Sequence, residues 1–291
     1  MQPLDRRRFF ATSLAGAGVI AAPGADAAGA ELPGRTPHTK FAVNVEMWWT
    51  KLPFMERFAK AAELGFPAVE FWPFQGRDID AIASTCRDLG LAIAQFTAWG
   101  FSPGMNDPRN EDAFVATIET ACEVAHRLDC RKMTVVAGDD IPGVPQADMH
   151  AQVVKALRRA APIAEREQVM LILEPMNVRV DHKGHCLYGS PPTIAICEAV
   201  GSEFVKINWD LYHMQITEGD LCGRMREGFR WIGYLQLADH PGRHEPGTGE
   251  VHYSRVLKEA LDLGYRDFVG LECHPTDELE AARRVAAADV W

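Results

Sequence analysis

From residue 40 to the carboxyl end, short apolar runs alternate with amphipathic stretches, and that alternation admits few architectures. Eight runs, at 41–45, 68–72, 91–96, 132–137, 170–174, 205–210, 232–236 and 268–272, are rich in β-branched and aromatic residues and bounded by turn or cap residues. Such runs read as strands buried on both faces of a parallel sheet. Between them the spacing predicts helices over 53–64, 79–89, 111–128, 148–168, 190–200, 218–230 and 253–263, with one more at the carboxyl end. In the first of these, Phe54, Phe58, Ala61 and Ala62 recur at the interval of one helical face. Ser190 followed by Pro191 reads as an N-cap with proline at the first helical position. Strict alternation implies right-handed crossovers. Eight such units in ~250 residues predict an α/β protein folded as one (β/α)8, or TIM, barrel over residues 40–291. A doubly wound open sheet would carry a glycine-rich phosphate turn after its first strand, where Asn44-Val45-Glu46-Met47-Trp48 offers none.

Four of the predicted strands end on a side chain that bears oxygen: Glu174, Asp210, Gln236 and Glu272. In a closed barrel all strand carboxyl ends share one rim, so the four groups can converge on one ion and one substrate. Side chains alternate along a strand, which puts Glu174 on a face with Ile172 and Met170, and Asp210 with Asn208 and Lys206. The same parity joins Gln236 to Tyr234 and Ile232, and Glu272 to Gly270 and Phe268. The opposite faces are apolar and suit outer helices, so the oxygens are expected to point into the barrel mouth. Carboxylate and amide oxygens form a hard donor set that suits Mn2+ or Mg2+ rather than zinc. Plainer roles exist for each: Asp210 as a helix cap, Gln236 bonded to a neighbouring loop, either glutamate paired with an arginine. His213 follows Asp210 by three residues, and Arg243 sits in a Gly/Pro-shaped loop where it can grip a carboxylate bidentately.

Glu174-Pro175-Met176-Asn177, Asp210-Leu211-Tyr212-His213-Met214-Gln215, the loop from Pro241 through Arg243-His244-Glu245 to Glu250, and Gly270-Leu271-Glu272 resemble the signature stretches of the hydroxypyruvate isomerase family, among the xylose-isomerase-like barrels. The resemblance spans nearly all of residues 41–275. It implies a divalent metal, Mn2+ or Mg2+, held by Glu174, Asp210, Gln236 and Glu272, with Glu174 and Glu272 also acting as acid and base. It further implies that His213, Arg243 and His244 contact the substrate. The reaction expected is an aldose–ketose isomerisation through an enediolate, hydroxypyruvate to tartronate semialdehyde. A sugar 3-epimerase or keto-sugar dehydratase is the alternative within enzymes, and a non-catalytic exported sugar-binding barrel the alternative outside them. The sequence departs from the family pattern at Cys273-His274, and Trp48, Trp49, Trp72 and Trp99 are bulkier than its usual residues. A tryptophan-rich rim would favour a ring-shaped sugar by stacking. His182, Lys183 and His185, in the loop after strand five, either line the pocket or, as expected of surface loop residues, are solvated, and Asp139 and Asp140, after strand four, fit a structural or a functional role alike.

The formal net charge of −10, with no Lys/Arg run beyond Arg6-Arg7-Arg8, argues against a nucleic-acid surface and for a small-molecule partner. Isomerase-like barrels often associate, which allows a homo-oligomer, but no patch in the sequence shows how. Seven irregularly spaced cysteines without a C-x-x-C pair read as small buried residues. Residues 1–30 form a leader. Arg6-Arg7-Arg8 precedes an uncharged stretch, 9–22, too short to span a bilayer, and Ala25-Asp26-Ala27 supplies a cleavage site. This leader resembles a twin-arginine translocation signal, which places the mature protein in the periplasm, free of the membrane; the alternative is a cytoplasmic protein with an Ala/Gly leader.

Overall fold

A computed structural model describes residues 32–291 of the protein. The leader expected over residues 1–30, with its export signal, lies outside the described residues. Eight parallel strands close into a barrel in chain order, β1 pairing with both β2 and β8. They are β1 (Lys40–Asn44), β2 (Ala68–Phe71), β3 (Ala92–Trp99), β4 (Lys132–Val136), β5 (Met170–Glu174), β6 (Val205–Asp210), β7 (Ile232–Leu237) and β8 (Phe268–Leu271). The helices between them are α1 (Phe54–Glu63), α2 (Ile79–Leu89), α3 (Glu111–Arg127), α4 (Gln146–Glu167), α5 (Ser190–Val200), α6 (Leu211–Thr217), α7 (Leu221–Gly228), α8 (Tyr253–Leu263) and α9 (Glu278–Ala288). Among the described residues no helix is long and apolar enough to cross a membrane.

Three departures from the expected helices stand out. The chain turns into α6 directly after β6, so a helix stands where a loop was expected, and the helix predicted over 218–230 is confined to α7 and a following 3-10 turn. At α5 the cap is Gly189 rather than Ser190. Gly189 adopts a φ of 79°, which favours glycine, and Ser190 becomes the first helical residue, its amide donating to the Glu218 carboxylate at 3.2 Å.

Outward strand residues such as Phe41, Val69, Leu171, Ile207, Trp209 and Leu235 are buried against the helix layer. Full burial of each is worth ~1.5–3 kcal/mol, which makes the outer layer the main stabilising contact. Inside the barrel, Ala42, Ala68 and Ala94 on adjacent strands leave room for Ile172 and Tyr234, and these five form a second apolar cluster with Met170 and Phe268 against it. All seven cysteines are free and six are buried, as expected of small core residues.

Strand parity fails at one predicted place. Ile207 pairs with Ile232 but Asn208 pairs with Tyr234, so Gly233 is an extra residue that shifts the register. Ile232 therefore packs with the outer cluster and not beside Tyr234. Only hydrogen fits at Gly233: a Cβ there would lie 2.7 Å from the Lys206 Cβ and 2.8 Å from Ile172 Cγ2 and Met170 Sδ. Gly233→Ala is expected to destabilise the barrel by roughly 1–3 kcal/mol through overpacking. Urea denaturation checks this; an unchanged midpoint would contradict the tight approach.

Candidate active site

Asp210 is the last residue of β6 and the N-cap of α6, its Oδ1 accepting from the Tyr212 amide at 2.8 Å. One helical turn then carries His213 back over the cap, with Nε2 at 3.5 Å from Asp210 Oδ2 and 3.8 Å from Glu174 Oε1. Glu174 ends β5, and Glu272 follows the last residue of β8. Ligand atoms of Glu174, Asp210, His213 and Glu272 all lie within 4.8 Å of one another, and all four side chains are buried.

The His213 ring has a defined proton. Asn177 Oδ1 accepts the amides of Val180 and Asp181, which turns its NH2 group toward His213 Nδ1 at 2.7 Å. A neutral ring that accepts at Nδ1 carries its hydrogen on Nε2. Burial, then Arg243, holds the His213 pKa well below its usual value, so the ring stays neutral. His213 is thus a donor facing the acids.

The loop after β7 delivers Arg243. Asp239 accepts the amides of Gly247 and Val251, and Glu245 accepts the amide and hydroxyl of Thr276, so both ends of the loop are tied down. Arg243 adopts a φ of 55° there, a conformation that costs an L residue ~1–3 kcal/mol and tends to persist where function requires it. Its guanidinium donates to Glu272 Oε2 at 2.9 Å, lies 3.9 Å from Asp210 Oδ2 and sits over the Tyr212 ring. Trp72 Nε1 donates to the other oxygen of Glu272 at 3.1 Å.

This arrangement crowds negative charge. Three carboxylates face one guanidinium and a neutral imidazole, an excess of two negative charges. Even at 4.8 Å, the upper limit of these separations, and an effective dielectric constant near 20, a like-charged pair repels by roughly 3.5 kcal/mol. Burial, then Glu272 and Asp210, pushes the Glu174 carboxyl well above its usual pKa; burial and Glu272 do the same to Asp210. Asp210 Oδ2 and His213 Nε2 are buried without a hydrogen-bond partner. Buried polar atoms in native proteins are rarely left so, and a bound cation and a substrate oxygen would satisfy the two. The donor set fits a hard dication.

A cavity of about 350 Å³ opens on this cluster, and its lining combines the polar Glu174, His213, Arg243 and Glu272 with Trp72, Pro73, Phe101, Val136 and Met176. Of the residues singled out in the sequence, Glu174, Glu272, His213 and Arg243 line it. Gln236 sits beside Asp210 in the strand register, but its amide is engaged within the barrel: Nε2 donates to Glu70 at 2.8 Å and Oε1 accepts from Asn208 at 2.5 Å. His244 does not line the cavity; its Nδ1 bonds the His274 carbonyl at 2.6 Å, joining two rim loops. Of the four tryptophans only Trp72 lines it. Trp48 and Trp99 are buried against Phe66 and Phe114, and Trp49 packs on Trp48, so the expected aromatic rim is mostly core. His182, expected to be solvated, lines the cavity and stacks on Phe101, while His185 is fully buried, 3.5 Å from Asp139.

Three participants escape the sequence reading. Asn177 was visible only as part of a motif, and Trp72 only as bulk. Glu70, on β2 at 0% exposure, accepts from Asn44, Tyr234 and Gln236, and burial followed by Glu272 pushes its pKa up to about 7. An acid inside the otherwise apolar run Ala68–Phe71 was the available signal.

The geometry defines a (β/α)8 barrel with an acidic cavity at the carboxyl ends of its strands. Residues 58–288 match the family described as xylose isomerase-like TIM barrel, and the chain belongs to that family. It is 32% identical to the hydroxypyruvate isomerase of Escherichia coli K12 over 251 residues, 84% of this chain and 97% of that protein. It is 34% identical over 243 residues to the 2-oxo-tetronate isomerase of Cupriavidus necator, 81% of this chain and 93% of the relative. Among solved structures, an AP endonuclease of family 2 from Brucella melitensis superposes with a TM-score of 0.78 at 28% identity, covering 84% of this chain and 96% of that one.

The raised pKa of Glu174 has a measurable consequence. Below about pH 4.5 the group is protonated folded or unfolded and contributes nothing; above its raised pKa the folded state carries the full cost of the buried charge. Metal-free Glu174→Gln is therefore expected to melt above the metal-free parent at pH 9, the gap narrowing toward pH 5. Equal melting temperatures across that range would contradict the crowding.

Proposed function

We propose that the protein is a divalent-metal-dependent isomerase that moves a proton between adjacent carbons of a small hydroxy-keto acid. The first-choice reaction is hydroxypyruvate to tartronate semialdehyde. The observation that carries this reading is the buried cluster of Glu174, Asp210 and Glu272 around one unpartnered Asp210 oxygen. The names of the two isomerase relatives support it and run against a non-catalytic binding module.

Glu174, Asp210, Gln236 and Glu272 are the residues proposed to hold Mn2+ or Mg2+. Gln236 Oε1 accepts one hydrogen bond, from Asn208, and retains its second lone pair for this role. The bound ion would offset the excess negative charge and polarise the substrate carbonyl and its neighbouring hydroxyl, lowering the cost of the enediolate. Glu174 and Glu272 transfer the proton, one removing it from C3 of hydroxypyruvate and the other returning one to C2. Placement at the end of β5 and directly after β8 keeps their separation fixed. His213 donates its Nε2 hydrogen to a substrate oxygen. Arg243, whose Nε has no partner, grips the substrate carboxylate with the donors Glu272 leaves free. Trp72, Pro73, Phe101 and Val136 give the cavity an apolar lining, and about 350 Å³ admits a small hydroxy-keto acid. A sugar 3-epimerase or keto-sugar dehydratase would use the same polar groups, with Trp72 and Phe101 as the stacking surface for a ring sugar, and is the second reading.

The leader reading stands separately: on residues 5–27 alone we propose export by the twin-arginine route to the periplasm. Replacing Arg6, Arg7 and Arg8 with lysine is expected to retain the protein in the cytoplasm on cell fractionation.

The test of the chemistry is solvent deuterium incorporation into hydroxypyruvate. Glu174→Gln and Glu272→Gln are each expected to reduce it ~10²–10⁴-fold with the fold intact. Chelation should abolish it, and Mn2+ or Mg2+ should restore it. Exchange persisting in both variants would refute the assignment of acid and base.

A further inference from the structure

Beneath the acid cluster the barrel holds a chain of buried polar side chains, and its polarity is set at one end. Glu70 Oε1 accepts from Gln236 Nε2 at 2.8 Å and from Asn44 Nδ2 at 3.1 Å, while Oε2 accepts from the Tyr234 hydroxyl at 2.8 Å. On its far side Gln236 accepts from Asn208 Nδ2, which also reaches the Thr134 hydroxyl at 3.4 Å, and Thr134 in turn donates to Gln95. Every amide in that chain has an oxygen end and a nitrogen end and can turn over. Glu70 cannot, because a carboxylate offers acceptors at both ends. The barrel also makes space for it: a Cβ on Gly270 would lie 2.4 Å from Glu70 Oε2 and 2.8 Å from Gln236 Cγ.

We propose that Glu70 is a positioning residue that fixes which end of the Gln236 amide is available to a bound cation. With the NH2 group drawn down onto Glu70, the carbonyl oxygen is the end left for the ion. If the amide turned over, its oxygen would meet the Glu70 oxygen and two acceptors would face each other. A carboxylate is an expensive side chain to bury for packing alone, and a neutral residue of the same shape would fill the space at lower cost. Asn44, Tyr234 and Gln236 all donate to Glu70, and holding an amide in one orientation is a task that such a pair of acceptor oxygens performs and an amide isostere does not. The inference rests on the proposed role of Gln236 as a ligand, and the experiment separates the two.

The readout is Mn2+ affinity of the purified, folded protein, followed by titration with free Mn2+ detected by its paramagnetic signal. Glu70→Gln preserves shape but lets either end of Gln236 face down, and is expected to weaken binding ~10–100-fold, as loss of a ligand's supporting hydrogen bond does. Adding Gln236→Glu to Glu70→Gln should return the affinity to near that of the parent, because a carboxylate ligand presents oxygen either way and needs no orienting. A purely structural role for Glu70 would show no such rescue. Gln236→Leu should weaken binding at least as much as Glu70→Gln. If Gln236→Leu weakens binding and Glu70→Gln does not, the positioning role is overturned and the ligand survives. If Gln236→Leu binds as the parent does, the ligand reading itself fails. Loss in Glu70→Gln without recovery in the double variant also overturns the proposal. Should Glu70→Gln fail to fold, Glu70→Asp keeps the charge but withdraws it from Gln236. The same loss is expected, and unchanged affinity would overturn the proposal.

Discussion

Three buried carboxylates, with ligand atoms within 4.8 Å of one another, repel one another, and much of the surrounding structure is arranged around that repulsion. A protein selected only for stability would have removed them. Arg243 offsets one charge from a backbone conformation that itself costs energy, and the loop bearing it is anchored by Asp239 and Glu245. Burial keeps His213 neutral rather than a second cation, and Asn177 aims the ring hydrogen at the acids. The two negative charges that remain correspond to the charge of one divalent ion. Site and stability pull in opposite directions here, as they commonly do where pKa values are pushed far from their usual range.

The barrel was legible because its signal is repeated eight times. Short β-branched runs, amphipathic helices such as Ile79–Leu89, and glycines after helix ends each vote for the same alternation. What escaped were features without periodicity. Helix α6 spans seven residues, of which Leu211, Tyr212, His213, Met214 and Ile216 are buried, so it has no polar stripe to mark it as helical. The extra residue at Gly233 is also silent in the sequence, since a register shift depends on which neighbour the strand meets.

The site was legible in part for a geometrical reason. Acids that end apolar runs must emerge at the strand carboxyl ends, and in a barrel those ends meet, so Glu174, Asp210 and Glu272 follow from topology. Asp210 also fills the plainer role, capping α6, and the two roles coexist because Oδ1 caps while Oδ2 faces the cluster. Orientation and partnership do not follow from topology. Nothing in the run of residues 68–72 says that Glu70 reaches Gln236 across 166 positions, or that Trp72 donates to Glu272 while Trp48 and Trp99 turn to the core. Those depend on side-chain direction around a closed sheet, which only the assembled barrel supplies.

The central claim is that one divalent ion belongs among these strand ends. Anomalous diffraction at the manganese edge from crystals grown with Mn2+ tests it most directly. The account predicts a single strong peak bounded by Glu174, Asp210, Gln236 and Glu272, with Asp210 Oδ2 now engaged. Fully loaded crystals with no peak there, or with the ion bound elsewhere and the carboxylates still unbridged, would contradict it.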